Sequence, residues 1–140
     1  MKRLSAFLFH RRWALAFAVL LTSGCGDGKT SDTYSVSGNI TYDGKPLPRG
    51  NIMFSPDASA NNKGPGAIAE IKDGKYQTLP EKGVTGGSYV LTINGYDGVP
   101  IPSGEGGMNE MGKPLFQSYD TKVDLPKEDT QHDIEVPKQK

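Results

Sequence analysis

Histidine and cysteine, which often act as catalytic bases, nucleophiles and metal ligands, are rare in this chain. The sequence contains two histidines, His10 and His132, and one cysteine, Cys25. A serine triad needs a histidine base beside its nucleophile, so after Cys25 such a site would depend on His132 alone. His132 lies in the polar stretch KEDTQHD, residues 127–133, where an exposed histidine is the simpler interpretation. We therefore expect a protein without enzymatic activity.

Acidic side chains are the second group that could do chemistry. Two sets could offer oxygen ligands to a cation, and they are Asp120 with Asp124, and Glu128 with Asp129 and Asp133. Neither set has the dense D-x-D-x-D-G spacing of a calcium loop. The alternative is a solvated acidic edge, which would discourage edge-to-edge pairing of strands. The sequence favours this acidic edge, and it predicts no bound metal and no cofactor.

Cys25 is explained by the residues that precede it. Basic residues at positions 2, 3, 11 and 12 are followed by an apolar run over residues 13–21 and by small residues at 22–24. This order is typical of a signal peptide, and the apolar run is roughly half of the ~20 residues that a membrane-spanning helix needs. Residues 21–25, LTSGC, resemble the lipobox of bacterial lipoproteins, in which a diacylglyceryl group is attached to the cysteine. An unmodified thiol in a secreted protein is the alternative.

The lipobox resemblance implies a division of the chain and a location. Residues 1–24 would be the signal peptide, and residues 25–33 would be the lipidated Cys25 with a flexible polar tether. Acyl chains such as palmitate, carried on Cys25, would then hold the protein at a membrane of the cell envelope, facing the periplasm or the exterior. Gly26 follows the cysteine where an Asp would favour inner-membrane retention, so the outer membrane is the favoured location.

Composition after the signal peptide bounds the partners and the fold class. Twelve basic and sixteen acidic residues remain, a formal charge of −4, which gives no indication of a nucleic-acid partner. Glycine and proline are abundant, at 18 and 10 residues in the chain, and turn signals recur at short spacing. Together with the lack of a helical pattern, they predict a single all-β domain over residues 34–137, with a tail at 138–140.

Alternation of apolar and polar residues locates the strands of this domain. Asp43-Gly44 and Asp73-Gly74 supply hairpin turns between them. The pattern predicts seven short strands, which suggest a β-sandwich: 34–42, a segment containing Ile52 and Phe54, 67–72, 75–78, 89–93, 119–125 and 134–136.

Three stretches carry a family resemblance. Residues 36–56, VSGNITYDGKPLPRGNIMFSP, resemble the opening of carboxypeptidase regulatory-like domains, and residues 73–76, DGKY, and 87–93, GSYVLTI, resemble later motifs of that family. The resemblance implies one antiparallel β-sandwich of the transthyretin-like (prealbumin-like) type, common in secreted and lipid-anchored bacterial proteins. The matching glycines, tyrosines and aliphatic residues specify turns and a core, and they carry no chemistry.

Residues 94–113, NGYDGVPIPSGEGGMNEMGK, have no strand pattern. A stretch of this length inside a compact domain indicates either a binding loop or a flexible insertion, and the composition favours flexibility. Tyr96, Met108 and Met111 could form a soft contact surface for a ligand or partner if the loop does bind.

These observations favour a non-catalytic envelope protein that acts in binding or assembly with an unidentified envelope protein or glycan. The alternative is a carbohydrate-binding or small-ligand-binding module that uses Tyr96, Tyr89 or Tyr119 as stacking platforms. Tyrosines exposed in a row on one sheet would support that alternative, and tyrosines buried between sheets would remove its basis. Enzymatic activity would require His132 in a pocket with a carboxylate within hydrogen-bond reach.

We predict that Cys25→Ser abolishes membrane retention, because no other segment of the sequence is apolar enough to hold the protein there. The measurement is fractionation of cells that express the tagged chain, with Gly28→Ala in the tether as the matched control. The control should stay in the membrane fraction. A Cys25→Ser variant that also stays there would contradict the anchor.

Overall fold

The computed structural model describes residues 32–104 and 106–139, so the predicted signal peptide, Cys25 and most of the tether lie outside the described residues. The described part is all-β, with two short 3₁₀ helices at Ala58–Ala60 and Pro80–Lys82. The strands are β1 (Val36–Tyr42), β2 (Lys45–Pro46), β3 (Arg49–Pro56), β4 (Ala67–Lys72), β5 (Lys75–Gln77), β6 (Gly87–Tyr96), β7 (Ile101–Pro102), β8 (Met108–Asn109), β9 (Tyr119–Leu125), β10 (Thr130–Gln131) and β11 (Ile134–Val136). Within these residues, no helix has the length and apolarity that crossing a membrane requires.

All seven predicted strands are confirmed, and four two-residue strands add to them. Nine strands form a curled sheet, along which the order is β10-β1-β5-β4-β3-β6-β9, with β2 and β11 also paired to β1. β7 and β8 form a separate hairpin. This curled and mainly antiparallel sheet is consistent with a β-sandwich.

The two predicted Asp-Gly hairpin turns have a left-handed backbone. Asp43 and Gly44 have φ angles of 51° and 72°, and Asp73 and Gly74 have φ angles of 49° and 74°. Positive φ at both central residues is the pattern of the type I′ turn, whose twist matches that of the flanking strands. These turns connect β1 to β2 and β4 to β5, so they fix the register of both hairpins.

The sheet is mainly antiparallel, as predicted, but β10 and β11 run parallel to β1, which the sequence did not indicate. Two carboxylates contribute to this pairing. The backbone N–H of Ser35 donates to Asp129 Oδ1 at 2.7 Å, and the N–H of Asn39 donates to Asp133 Oδ1 at 2.7 Å. Asn39 follows Ser35 by four residues, and Asp133 follows Asp129 by four residues, so the donors and the acceptors have the same spacing. The side chains therefore accept hydrogen bonds from the edge of β1 beside the short strands.

The C-terminal segment also passes very close to β1 at Gly38. A Cβ atom at this position would lie 2.1 Å from the carbonyl oxygen of His132, so only glycine allows the approach. The same carbonyl accepts a hydrogen bond of 2.6 Å from the hydroxyl of Tyr76. Burial raises the pKa of Tyr76, which keeps its phenol protonated and able to donate.

The core is formed by the inward-facing residues of the strands. Tyr89 and Phe54 are the largest of its fully buried side chains. Tyr42, Phe116, Tyr119 and Val123 pack against the core while partly exposed. The other buried members are mostly aliphatic: Val36, Ile40, Leu47, Ile52, Ala67, Ala69, Ile71, Tyr76, Val84, Leu91, Ile93, Leu125, Ile134 and Val136.

The prediction that residues 94–113 lack strands is wrong. β6 continues to Tyr96, and β7 pairs with β8 inside the segment. Asp97 joins the two ends of this segment into a stem. Its Oδ1 accepts hydrogen bonds from the backbone N–H groups of Val99 at 3.0 Å and Lys113 at 2.9 Å. These two N–H donors lower the pKa of Asp97. A side chain that bonds to backbone sixteen residues away leaves no trace in an alternation pattern.

Candidate functional site

A cleft of about 610 Å³ lies at the end of the sheet where β3 ends and β4 begins. This volume falls within the roughly 300–1,000 Å³ typical of small-molecule sites. Two walls enclose it. The loop wall is formed by the ends of β3 and β4 with the loop over residues 57–66 between them, and the entry wall is formed by Thr33 with residues 80–83. The lining residues are Thr33, Met53, Phe54, Ser55, Pro56, Pro65, Gly66, Ala67, Ile68, Glu81, Lys82 and Gly83.

Apolar side chains are exposed at the rim of this cleft. Ile68 of β4 is 63 % exposed and Met53 of β3 is 44 % exposed, and the two are direct cross-strand partners on the outer face of the sheet. Adjacent exposed apolar residues at a concave site are typical of binding surfaces.

The edge of β4 is open beside the cleft. Only the last two residues of β4, Ile71 and Lys72, pair with β5, whereas all six pair with β3. Within the described residues, 67–70 have no strand partner on the β5 side. The rim thus combines apolar side chains with an unpaired strand edge, and both features favour contact with another molecule.

Asp57 fixes the start of the loop wall. Its carboxylate forms an ion pair with Lys122 Nζ at 2.8 Å, and it accepts hydrogen bonds from the backbone N–H and the hydroxyl of Ser59. The bonds to Lys122 and Ser59 lower the pKa of Asp57 to about 2. Because Lys122 belongs to β9, this ion pair ties the loop to a strand on the far side of β6.

Asn62 fixes the later part of the same loop. Its amide Nδ2 donates to the carbonyl oxygen of Ser88 at 2.8 Å, and its Oδ1 accepts from the N–H of Gly64 at 2.9 Å. Pro65 and Gly66 follow directly and line the cleft. Side chains therefore hold the loop wall at two points, through Asp57 to β9 and through Asn62 to β6.

The entry wall is held by backbone bonds to the N-terminal end of the domain. Tyr34 and Val84 form a two-way bridge, with N–H to O distances of 2.7 Å and 2.9 Å. The hydroxyl of Thr33 donates to the carbonyl oxygen of Pro80 at 3.0 Å. The chain therefore enters the domain along this wall of the cleft.

Tyr89 connects the two walls through its hydroxyl group. The oxygen accepts from the N–H of Thr85 at 3.2 Å, next to the entry wall, and donates to the carbonyl oxygen of Pro65 at 3.1 Å in the loop wall. The tyrosine is 0 % exposed. Its ring therefore cannot act as a stacking platform for a ligand. The ring lies in the core, and its hydroxyl holds the two segments beside the cleft together.

The other two proposed stacking residues have different positions. Tyr119 packs against the core from β9. Tyr96 is half-buried at the end of β6, on the outer face of the sheet opposite Arg49. Of the three tyrosines, Tyr96 is the one on the outer face.

Residues of the 94–113 segment fall in separate elements. Tyr96 ends β6 and forms a bridge with Pro114, whereas Met108 lies exposed in β8 and Met111 is half-buried in the following turn. The carbonyl oxygen of Met111 accepts from the N–H of Gly98, which holds that turn to the stem.

The remaining candidates for chemistry lie away from the cleft. His132 is half-buried and bonds through its backbone to Ser37 and Tyr76. Asp120 and Asp124 are exposed on β9 and flank Lys122, so the predicted acidic edge coincides with an edge strand of the sheet. In residues 32–104 and 106–139, no three His, Cys, Asp or Glu side chains come together as a metal site.

Glu128, Asp129 and Asp133 follow β9 at the surface. Glu128 is exposed, and the other two carboxylates accept the backbone hydrogen bonds from Ser35 and Asn39 described above. Bonds from the backbone and side chain of Asn39 lower the pKa of Asp133. Two of these three predicted ligand candidates thus bind backbone donors of the protein itself.

Sequence reasoning missed the cleft. Its rim residues, Met53 and Ile68, are apolar residues at solvent-facing positions of two strands whose alternate positions are buried. An apolar residue at a solvent-facing position departs from the alternating pattern, and this departure was the signal that could have indicated the cleft.

Comparisons with protein-family models, with curated proteins and with solved structures found no match to this chain. The function of the cleft is therefore interpreted from its residues and their geometry.

We predict that Asp57 contributes to stability in a defined acid range. Its folded-state pKa of about 2 is below the unfolded value of about 3.9, so the contribution is full above pH ~4 and is lost as the pH falls through 2. Urea unfolding of the wild type and of Asp57→Asn between pH 6 and 2 measures it. The stability difference between the two proteins should shrink with falling pH, and a constant difference would contradict the role of the carboxylate.

Proposed function

We propose that this chain is a lipid-anchored cell-envelope protein whose β-domain, of the carboxypeptidase regulatory-like (transthyretin-like) type, binds an apolar partner without catalysing a reaction. Anchoring would use the acylated Cys25, with the domain facing the periplasm or the exterior and with the outer membrane favoured. The lipobox resemblance of residues 21–25 and the family resemblance of residues 36–56 support this proposal.

The cleft is the observation that carries the binding role. It combines exposed Ile68 and Met53 with the open edge of β4, and the hydroxyl of Tyr89 joins its two walls. A site built in this way offers apolar contact area and unpaired backbone groups to a partner. The lining includes two charged residues, Glu81 and Lys82. A mainly apolar lining suits recognition better than proton transfer.

The positions of the acidic groups also support a non-catalytic role. Asp57, Asp97 and Asp133 have lowered pKa values, and each accepts hydrogen bonds that hold a loop or strand in place. Catalytic carboxylates usually need pKa values raised toward the working pH. These three groups are shifted in the opposite direction, as expected for structural acceptors.

A glycan-binding module is the second candidate, and Tyr96 is the residue that supports it. Beside Tyr96 on the outer face, Asn94 Nδ2 donates to Asn51 Oδ1 at 3.0 Å, and Arg49 lies opposite the tyrosine. Amides, a guanidinium and an aromatic ring on one face are groups that can bind sugar hydroxyls and stack on a sugar ring. The inward positions of Tyr89 and Tyr119 restrict this candidate to a single platform.

In-cell photo-crosslinking distinguishes the two candidates. A photoreactive amino acid is placed at Ile68 on the cleft rim, at Tyr96 on the outer face, or at Lys45, an exposed control in β2. We expect adducts, to protein or to lipid, at position 68 that exceed those at position 45 at least fivefold. Glycan adducts at position 96 alone would favour the second candidate, and equal background at all three would contradict a binding role for the cleft.

A further inference from the structure

The cleft lies at the point where the chain enters the domain. Thr33 lines it and is bonded to Pro80 of the entry wall. Eight residues, 26–33, separate Cys25 from the domain. A fully extended chain spans at most about 3.3–3.6 Å per residue, so this connection cannot exceed about 29 Å. The cleft therefore lies at the end of the domain to which the segment from Cys25 connects.

The rim of the cleft at this end is apolar. Ile68 and Met53 are exposed there, and Leu79, which is 53 % exposed, directly precedes the turn of the entry wall. Glu81 and Lys82 border the same wall. Aliphatic side chains beside a lysine suit the boundary between lipid headgroups and acyl chains, because the lysine stem can lie along apolar surface while its ammonium stays in the polar layer.

The other end of the sheet has the opposite character. β3 and β4 pair there through Arg49 and Lys72, and both cations lie within 4 Å of Glu70 Oε1, at 3.9 Å and 3.5 Å. Lys45 is exposed in β2 at this end. One end of the domain thus has an apolar rim and receives the chain from Cys25, and the other end carries the charged residues Arg49, Glu70 and Lys72.

We propose that the apolar rim of the cleft docks on the surface of the bilayer that holds Cys25, with Ile68, Met53 and Leu79 entering the headgroup boundary. This inference rests on the proposed anchoring through Cys25, and it names the partner of the cleft as a lipid surface. A small apolar rim suffices for docking because the tether is short. Once the acyl chains are inserted, docking is an intramolecular step at high effective concentration.

Fluorescence quenching in vesicles tests the docking. The mature lipoprotein, acylated at Cys25, is reconstituted into vesicles of phosphatidylethanolamine and phosphatidylglycerol that contain lipids with a nitroxide on the acyl chain. A bimane label is placed at Ile68→Cys or, as the matched control, at Lys45→Cys; both positions are exposed, so folding should be kept. We expect lipid quenching at position 68 to exceed that at position 45 at least threefold, with both variants floating with the vesicles.

The other outcomes overturn the proposal in distinguishable ways. Equal quenching at both positions, in protein that floats with the vesicles, would show that the anchor holds while the cleft does not dock. A label at position 68 that is shielded from aqueous iodide without being quenched by the lipid would show that a second copy or the chain's own tether fills the cleft. Protein that fails to float would overturn both the docking and the anchoring.

Discussion

The hydrogen bonds of the Tyr89 hydroxyl are the interaction on which the arrangement of the cleft depends. One hydroxyl accepts from Thr85 and donates to Pro65, and so it joins two segments that approach the end of the sheet from different sides. The ring below is fully buried, so the hydroxyl has a fixed position. Asp57 and Asn62 secure the loop on one side, and the bridge between Tyr34 and Val84 secures the entry wall on the other. The apolar rim is exposed because this buried framework holds it in place.

Much of the fold could be predicted from the sequence, because its determinants are local. Asp-Gly pairs in type I′ turns and strict alternation in β1, β4 and β9 are properties of neighbouring residues. The parallel pairing of the C-terminal segment could not be predicted in this way. It depends on Asp129 and Asp133 meeting backbone donors 94 residues away, and on the absence of a Cβ atom at Gly38.

The candidate site was less predictable for a related reason. Its lining residues come from four separate stretches, around Thr33, Met53, Ile68 and Lys82. The open edge of β4 arises because β5 is only three residues long. The length of one strand determines which residues of its neighbour stay unpaired only once the two strands lie side by side in the sheet. Residues 94–113 have no strand pattern, so the sequence left a flexible insertion and a binding loop open, with Tyr96, Met108 and Met111 as contact residues only in the second case. The stem is closed by hydrogen bonds to the side chain of Asp97, which a strand pattern does not record.

In the proposed arrangement, the anchor, the tether and the cleft would direct one end of the domain to the membrane. The measurement that tests the framework of the cleft most directly is amide hydrogen exchange in the wild type and in Tyr89→Phe. We expect the amide of Thr85, which loses its acceptor, to exchange at least tenfold faster in the variant. The amide of Asn39, bonded to Asp133, should keep its rate. Unchanged protection of Thr85 in Tyr89→Phe would contradict the claim that this hydroxyl holds the walls together.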